Sequence, residues 1–187
     1  MFRDQSRDYA QNISFDKKVP HDDSFERDIC THCGLINYQN PRIIAGVVAT
    51  IEQDGQEKIL MCKRAIEPRK GFWTLPAGFM ENGETSAEGA ARETWEEAAA
   101  KAVDLALYRI FDVPHISQVY LFYRCGIEND EFGVGPESLE SALFSEEEIP
   151  WDELAFPTVR ELLKEFLKDR QTAEYPVRNT VIDYPRR

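Results

Sequence analysis

Several things are scarce in this chain. Basic residues are outnumbered: 22 Lys and Arg stand against 34 Asp and Glu, a net charge of −12. A surplus of that size argues against non-specific nucleic acid binding and against attachment to an anionic membrane. It does not exclude a phosphorylated substrate, because a bound divalent cation reverses the field locally. The four cysteines include only one close pair, too few and too scattered for a secreted disulfide framework. The opening residues, MFRDQSRDYA, have no apolar stretch of the kind a signal peptide needs, and the longest apolar run is only strand-sized. A soluble, cytoplasmic protein is expected, with no membrane partner. There is no internal repeat, no P-loop and no G-x-G-x-x-G.

What is present centres on residues 78 to 100, GFMENGETSAEGAARETWEEAAA. Glu93, Glu96 and Glu97 are spaced i, i+3 and i+4, within about 100° of one another on a helix. Ala87, Ala91, Thr94 and Ala98 form a second stripe, small enough to pack closely on a sheet. Thr85 and Glu88 have capping-box spacing at the helix start, after the turn signal of Gly83. Crowded carboxylates repel, and a divalent cation would relieve them: Mg²⁺ takes hard oxygen ligands and completes its shell with water and phosphate. A solvated acidic helix face is the alternative for these three residues alone.

The spacing of the whole segment resembles the Nudix hydrolase signature. Gly78, five residues, Glu84, seven residues and then Arg92-Glu93-Thr94-Trp95-Glu96-Glu97 follow G-x5-E-x7-R-E-U-x-E-E. Two positions depart from it, Thr94 for an aliphatic residue and Ala99 for a second glycine, and neither removes a metal-binding position. The resemblance covers about residues 40 to 170 and implies an α/β fold, an α/β/α sandwich around a mixed sheet. It implies hydrolysis of a nucleoside diphosphate derivative with Mg²⁺ or Mn²⁺. Glu93, Glu96 and Glu97 would be the metal ligands, joined by the Gly78 carbonyl. Arg92 would orient a neighbouring carboxylate, since its guanidinium does not give up its proton, and Glu84 would be a structural acid. The base would be a box glutamate or one from a later loop, where Glu137 and Glu140 are the candidates. Arg64, ending a strand near the box, is the expected phosphate contact. GPES and EIPWDELAF look like the subgroup acting on ADP-ribose or FAD. NADH, nucleotide sugars, nucleoside triphosphates, or nucleotide binding without turnover are the alternatives.

Around this segment, strands are expected at 42–50, 58–64, 104–113 and 118–126, with 137–144 returning to the sheet. Pro157 opens an amphipathic helix whose apolar stripe is Val159, Leu162, Leu163, Phe166 and Leu167. Trp73 is expected to pack beneath the box and Cys62 to be a core thiol; His115 sits in a loop. Residues 171–187 are read as an extended tail outside a 41–170 domain. Residues 1–29 show no sustained period. Cys30-Thr31-His32-Cys33-Gly34 then supplies half of a tetrahedral zinc site. With the following YQNPR it resembles the zinc ribbon that precedes some Nudix domains. A ribbon's first pair would fall near Asp8 to Asn12, where there is no cysteine. Zinc completed by His21 or His32 and a metal-free remnant both remain open for this 1–40 extension. A homodimer is a further expectation: residues 1 to 40 or a partner chain would offer Phe15, Phe25 and Tyr38 for stacking.

Overall fold

The computed structural model describes residues 13–183, in two compact units, one ending at Asn40 and the other beginning at Pro41. In the first, β1 (Phe15–Lys18), β2 (Arg27–Cys30) and β3 (Ile36–Asn37) form a small antiparallel sheet in that order. The sequence gives no warning of it, because strands of two to four residues are too short to show alternation. Cys30 and Cys33 sit at its turn. Gly34 N–H donates to the Cys30 carbonyl and Cys30 N–H to that of Leu35, and backbone N–H groups of Cys33 and His32 hold the Cys30 thiol below its ordinary pKa. Arg27, paired with Asp23, lies against the rings of Phe25 and Tyr38.

The second unit is built on β4 (Arg42–Gln53), β5 (Gln56–Arg64), β6 (Trp73–Thr74), β7 (Ala77–Phe79), β8 (Ala102–Val113), β9 (Gln118–Ile127), β10 (Ser138–Phe144) and β11 (Arg178–Val181). Its spine runs β10-β5-β4-β9-β8-β11, with β6 on β5 and β7 on β4. The β4–β9 and β8–β11 pairs are parallel and the others antiparallel, so the sheet is mixed. Two helices, α1 (Ser86–Ala98) and α2 (Pro157–Arg170), cover its two faces. Alternation along β4 divides the core. Ala45, Val47, Ala49 and Ile51 join Ala90 and Ala98 of α1, whereas Val48 joins Leu162, Leu163 and Phe166 of α2. Each fully buried Leu or Phe on α2 contributes about 1.5–3 kcal/mol by leaving water. Trp73 lies in the α2-side cluster, edge-on to Phe144.

Two sequence expectations are corrected here. The tail does not end the domain at residue 170, because β11 adds a parallel strand to β8. The cause is a buried charge. Arg109 on β8 is 0% exposed and pairs with Glu165 and Asp169 of α2. It also donates to the Pro176 carbonyl, and Arg178 of β11 reaches the same Asp169. Such a pair is stable only when its remaining donors find partners, and the tail supplies them. The second correction concerns α1. Its buried residues are Gly89, Ala90, Glu93, Thr94, Glu97 and Ala98, so the helix is turned toward Ala90 and away from Ala91. Two of the acids therefore lie on the buried side, beside the small residues.

Candidate active site

The loop from β7 to α1 and the first two turns of α1 carry most of the polar machinery. Thr85 and Glu88 form the expected capping box, which fixes the helix start. Arg92 is the hub. Its Nε and Nη2 bind the two oxygens of Glu84 at 3.0 and 2.8 Å, and Nη1 reaches Glu93 at 2.7 Å and Glu96 at 2.8 Å. Nη2 also donates to the Phe79 carbonyl at 3.0 Å. One planar guanidinium thus ties the loop to the helix, a task its fixed fork suits and an ammonium would not. The same contact, with the Glu81 N–H, holds the Glu84 carboxyl down to about 2. Glu84 is therefore a fixed anion belonging to this frame.

Helix geometry separates the three expected ligands. Taking Glu93 as origin, Glu97 lies about 40° to one side and Glu96 about 60° to the other. Glu93 and Glu97 are 7% and 5% exposed, while Glu96 stays at the surface. Burial pushes Glu93 up, with Arg92 opposing the shift. Burial, and then the charge of Glu93, pushes Glu97 up to about 8. Ala77 N–H donates to Glu97 Oε2 at 3.3 Å. Gly78 faces Glu93 so closely that a Cβ there would overlap the carboxylate.

These donors fit a hard divalent cation. Two buried carboxylates repel each other, a backbone cradle has no room for a side chain, and all the ligand atoms are oxygens. Even so, no three His, Cys, Asp or Glu side chains among the described residues are arranged as a finished cage. Arg92 stands between Glu93 and Glu96 and takes an oxygen from each. Of the three expected ligands, Glu93 and Glu97 lie on the buried side of α1, and Glu96 is at the surface, bound by Arg92.

The loop acids part company. The charge of Glu137 adds to the rise of both Glu93 and Glu97, and its carbonyl accepts the Ala65 N–H at 2.8 Å. Glu140 faces Lys63 at 4.0 Å. Glu137 precedes β10, whereas Glu140 lies within it, opposite Lys63. Arg64 approaches the site, since its charge opposes the rise of Glu97. It donates to the Pro68 carbonyl at 2.8 Å and lies over the Phe156 ring. Reading from sequence missed Arg42 and Phe79. Arg42 at the start of β4 covers the Phe79 ring at 4.7 Å, and that ring remains 46% exposed beside Gly78. An aromatic residue following the box glycine was the available signal.

In the first unit, His21 is surface-exposed and paired with Asp22, and His32 is also exposed. Neither completes a cluster with Cys30 and Cys33 among the described residues. Asp8 to Asn12, where a ribbon's other pair would fall, lie outside them.

Sheet, covering helices and box together define the Nudix class. The chain belongs to the Nudix family: residues 40–168 match the NUDIX domain, and residues 14–39 match the zinc-ribbon family described as Nudix N-terminal. It is similar to a crystal structure of a NUDIX hydrolase from Nitrosomonas europaea, with 44% identity and a TM-score of 0.82. That likeness covers 90% of this chain and 93% of the other. An ADP-ribose pyrophosphatase from Methanocaldococcus jannaschii is 28% identical over 137 residues, 70% of this chain and 76% of the relative. The NAD-capped RNA hydrolase NudC of Salmonella heidelberg is 27% identical over 123 residues, 65% of this chain and 46% of that protein. The chain spans less than half the length of the NudC relatives it matches. No helix among the described residues is long and apolar enough to cross a membrane.

Proposed function

We propose that this protein hydrolyses the pyrophosphate bond of a nucleoside diphosphate derivative, with ADP-ribose as the leading substrate, FAD second, and AMP as a product. The observation that carries this reading is the buried Glu93–Glu97 pair against the side-chain-free backbone of Gly78. Mg²⁺ or Mn²⁺ bound there would supply positive charge to the diphosphate oxygens and acidify water. Glu93, Glu97 and the Gly78 carbonyl would hold it, with Glu96 able to join once released by Arg92. Arg92 keeps Glu93 and the loop in register through its contacts to Glu84 and Phe79. Glu137 is the better candidate for taking a proton from the attacking water, because its charge reaches the pair while Glu140 is engaged with Lys63. Arg64 would meet a phosphate oxygen. Phe79, half-exposed with Arg42 over one face of its ring, would offer a heterocycle its other face for stacking.

A second reading is cleavage of a nicotinamide dinucleotide, the group that the NudC relatives' name, NAD-capped RNA hydrolase, places on their RNA. A substrate with two organic ends needs cations for only two phosphates, which suits a chain so rich in acid. The test is turnover of ADP-ribose with Mn²⁺ by the wild type, Glu96→Gln and Glu97→Gln. Each variant should lose more than about a hundredfold, the scale of lost electrostatic stabilisation at a reacting phosphate. Near-wild-type turnover in both at saturating metal would refute the site.

A further inference from the structure

The end of α1 is finished by a distant loop. Ala99 adopts the left-handed exit, with φ 46°, and its N–H reaches the Trp95 carbonyl. The carbonyls that follow have no partner from their own helix. Gly135 N–H takes the Glu97 carbonyl at 3.0 Å, and Gly133 N–H takes that of Ala98 at 2.6 Å. At Gly135 the two backbones are so close that a Cβ would overlap the Glu96 carbonyl, and the obstacle is main chain that cannot swing aside. The turn closes through Ser138 N–H to the Gly135 carbonyl, and Ala65 N–H, just beyond β5, secures the Glu137 carbonyl at 2.8 Å. Glu137 is thus pinned between the helix end that carries Glu97 and the strand end that carries Arg64.

We propose that Gly135, assisted by Gly133, is a positioning residue for the reaction: it registers Glu137, at the end of the 131–137 loop, against the buried carboxylates of α1. The inference rests on the role proposed above for Glu137. A bare backbone is required because the loop must come within hydrogen-bonding distance of the helix carbonyls. Any side chain at 135 would push the loop, and Glu137 with it, away from the end of α1.

The experiment is a double-mutant cycle on hydrolysis of ADP-ribose, joining Gly135→Ala with Glu137→Gln. Gly135→Ala should lower kcat by about a hundredfold, as expected for a misplacement near 1 Å, while KM changes by less than about threefold, the sign of an interaction made in the transition state. In the Glu137→Gln background the glycine substitution should cost nothing further, within about twofold, since residues acting through one another are not additive. Full additivity, or a change confined to KM, would overturn the proposal. Should Gly135→Ala not fold, Gly133→Ala gives the milder displacement, because its Cβ would meet only the Ala99 methyl at 3.3 Å; it should follow the same non-additive pattern. Mn²⁺ affinity, read by electron paramagnetic resonance, runs the cycle without turnover. Glu137→Gln removes a charge near the ion and should weaken binding. Gly135→Ala only displaces that charge and should weaken it by no more, and the double variant should match Glu137→Gln, whereas additive losses, or a larger loss in Gly135→Ala, would reject the clamp. A wild type that binds Mn²⁺ in this pattern yet cleaves no diphosphate would refute the pyrophosphatase reading and leave the clamp standing.

Discussion

The backbone of Gly78 lies directly against the carboxylate of Glu93, with no room between them for a methyl group. β7 pairs with β4 at Ala45 and Gly78, so the strand cannot yield without breaking the sheet. Gly78→Ala should therefore displace Glu93 and leave the fold intact. Mn²⁺ affinity should fall, and turnover should drop by about a hundredfold or more, the cost of about 1 Å of misplacement at a reacting centre. Circular dichroism and a Mn²⁺ titration, run in parallel, check this. Unchanged affinity in a folded variant would remove Gly78 from the site.

Glu97 links metal, pH and stability. Its folded pKa is about 8 against an ordinary 4.5, because burial and then Glu93 disfavour the charge. Between those values the folded protein holds a proton that the unfolded chain has released. Metal-free stability should accordingly fall as pH rises from 4.5 to about 8, by up to about 1.4 kcal/mol per pH unit from this group. Above that window its contribution is constant. Glu97→Gln should be the more stable protein at high pH without metal, and denaturant melts of chelator-treated samples from pH 5 to 9 would show the two curves diverging. Parallel curves would contradict the assignment. In the wild type a cation must displace that proton, so Mg²⁺ affinity should increase up to about pH 8.

Zinc is a separate question. Only Cys30 and Cys33 among the described residues offer thiolates in the first unit, and a structural tetrahedral site needs four ligands. Untagged protein prepared without chelator should carry no stoichiometric zinc by elemental analysis. One zinc per chain, lost together with stability in Cys30→Ser, would show that ligands come from elsewhere.

Local patterns were readable and long-range ones were not. The box, its capping residues and the stripe of α2 announce themselves because helix spacing and end chemistry are written within a dozen residues. β4, β5, β8, β9 and β10 are likewise long enough to register. The rotation of α1 toward Ala90 was hidden, because Ala90 and Ala91 are equally small and only the sheet decides between them. β11 was hidden because Arg178-Asn179-Thr180-Val181 is mostly exposed and is recruited by the buried Arg109–Asp169 pair, whose members stand 60 positions apart in the chain. Glu137 and Glu140 could not be separated without the cross-strand pairing that sets Glu140 opposite Lys63. Gly133 and Gly135 read as ordinary loop glycines until the end of α1 is seen against them.

The most direct test is a comparison of kcat/KM for ADP-ribose, FAD, NADH and dGTP under one Mn²⁺ concentration, with Glu97→Gln as the blank. ADP-ribose and FAD should lead, yielding AMP with ribose 5-phosphate or FMN, and the blank should fall by more than about a hundredfold. A tenfold or greater lead for dGTP would contradict the substrate assignment, and AMP release undiminished in Glu97→Gln would contradict the site itself.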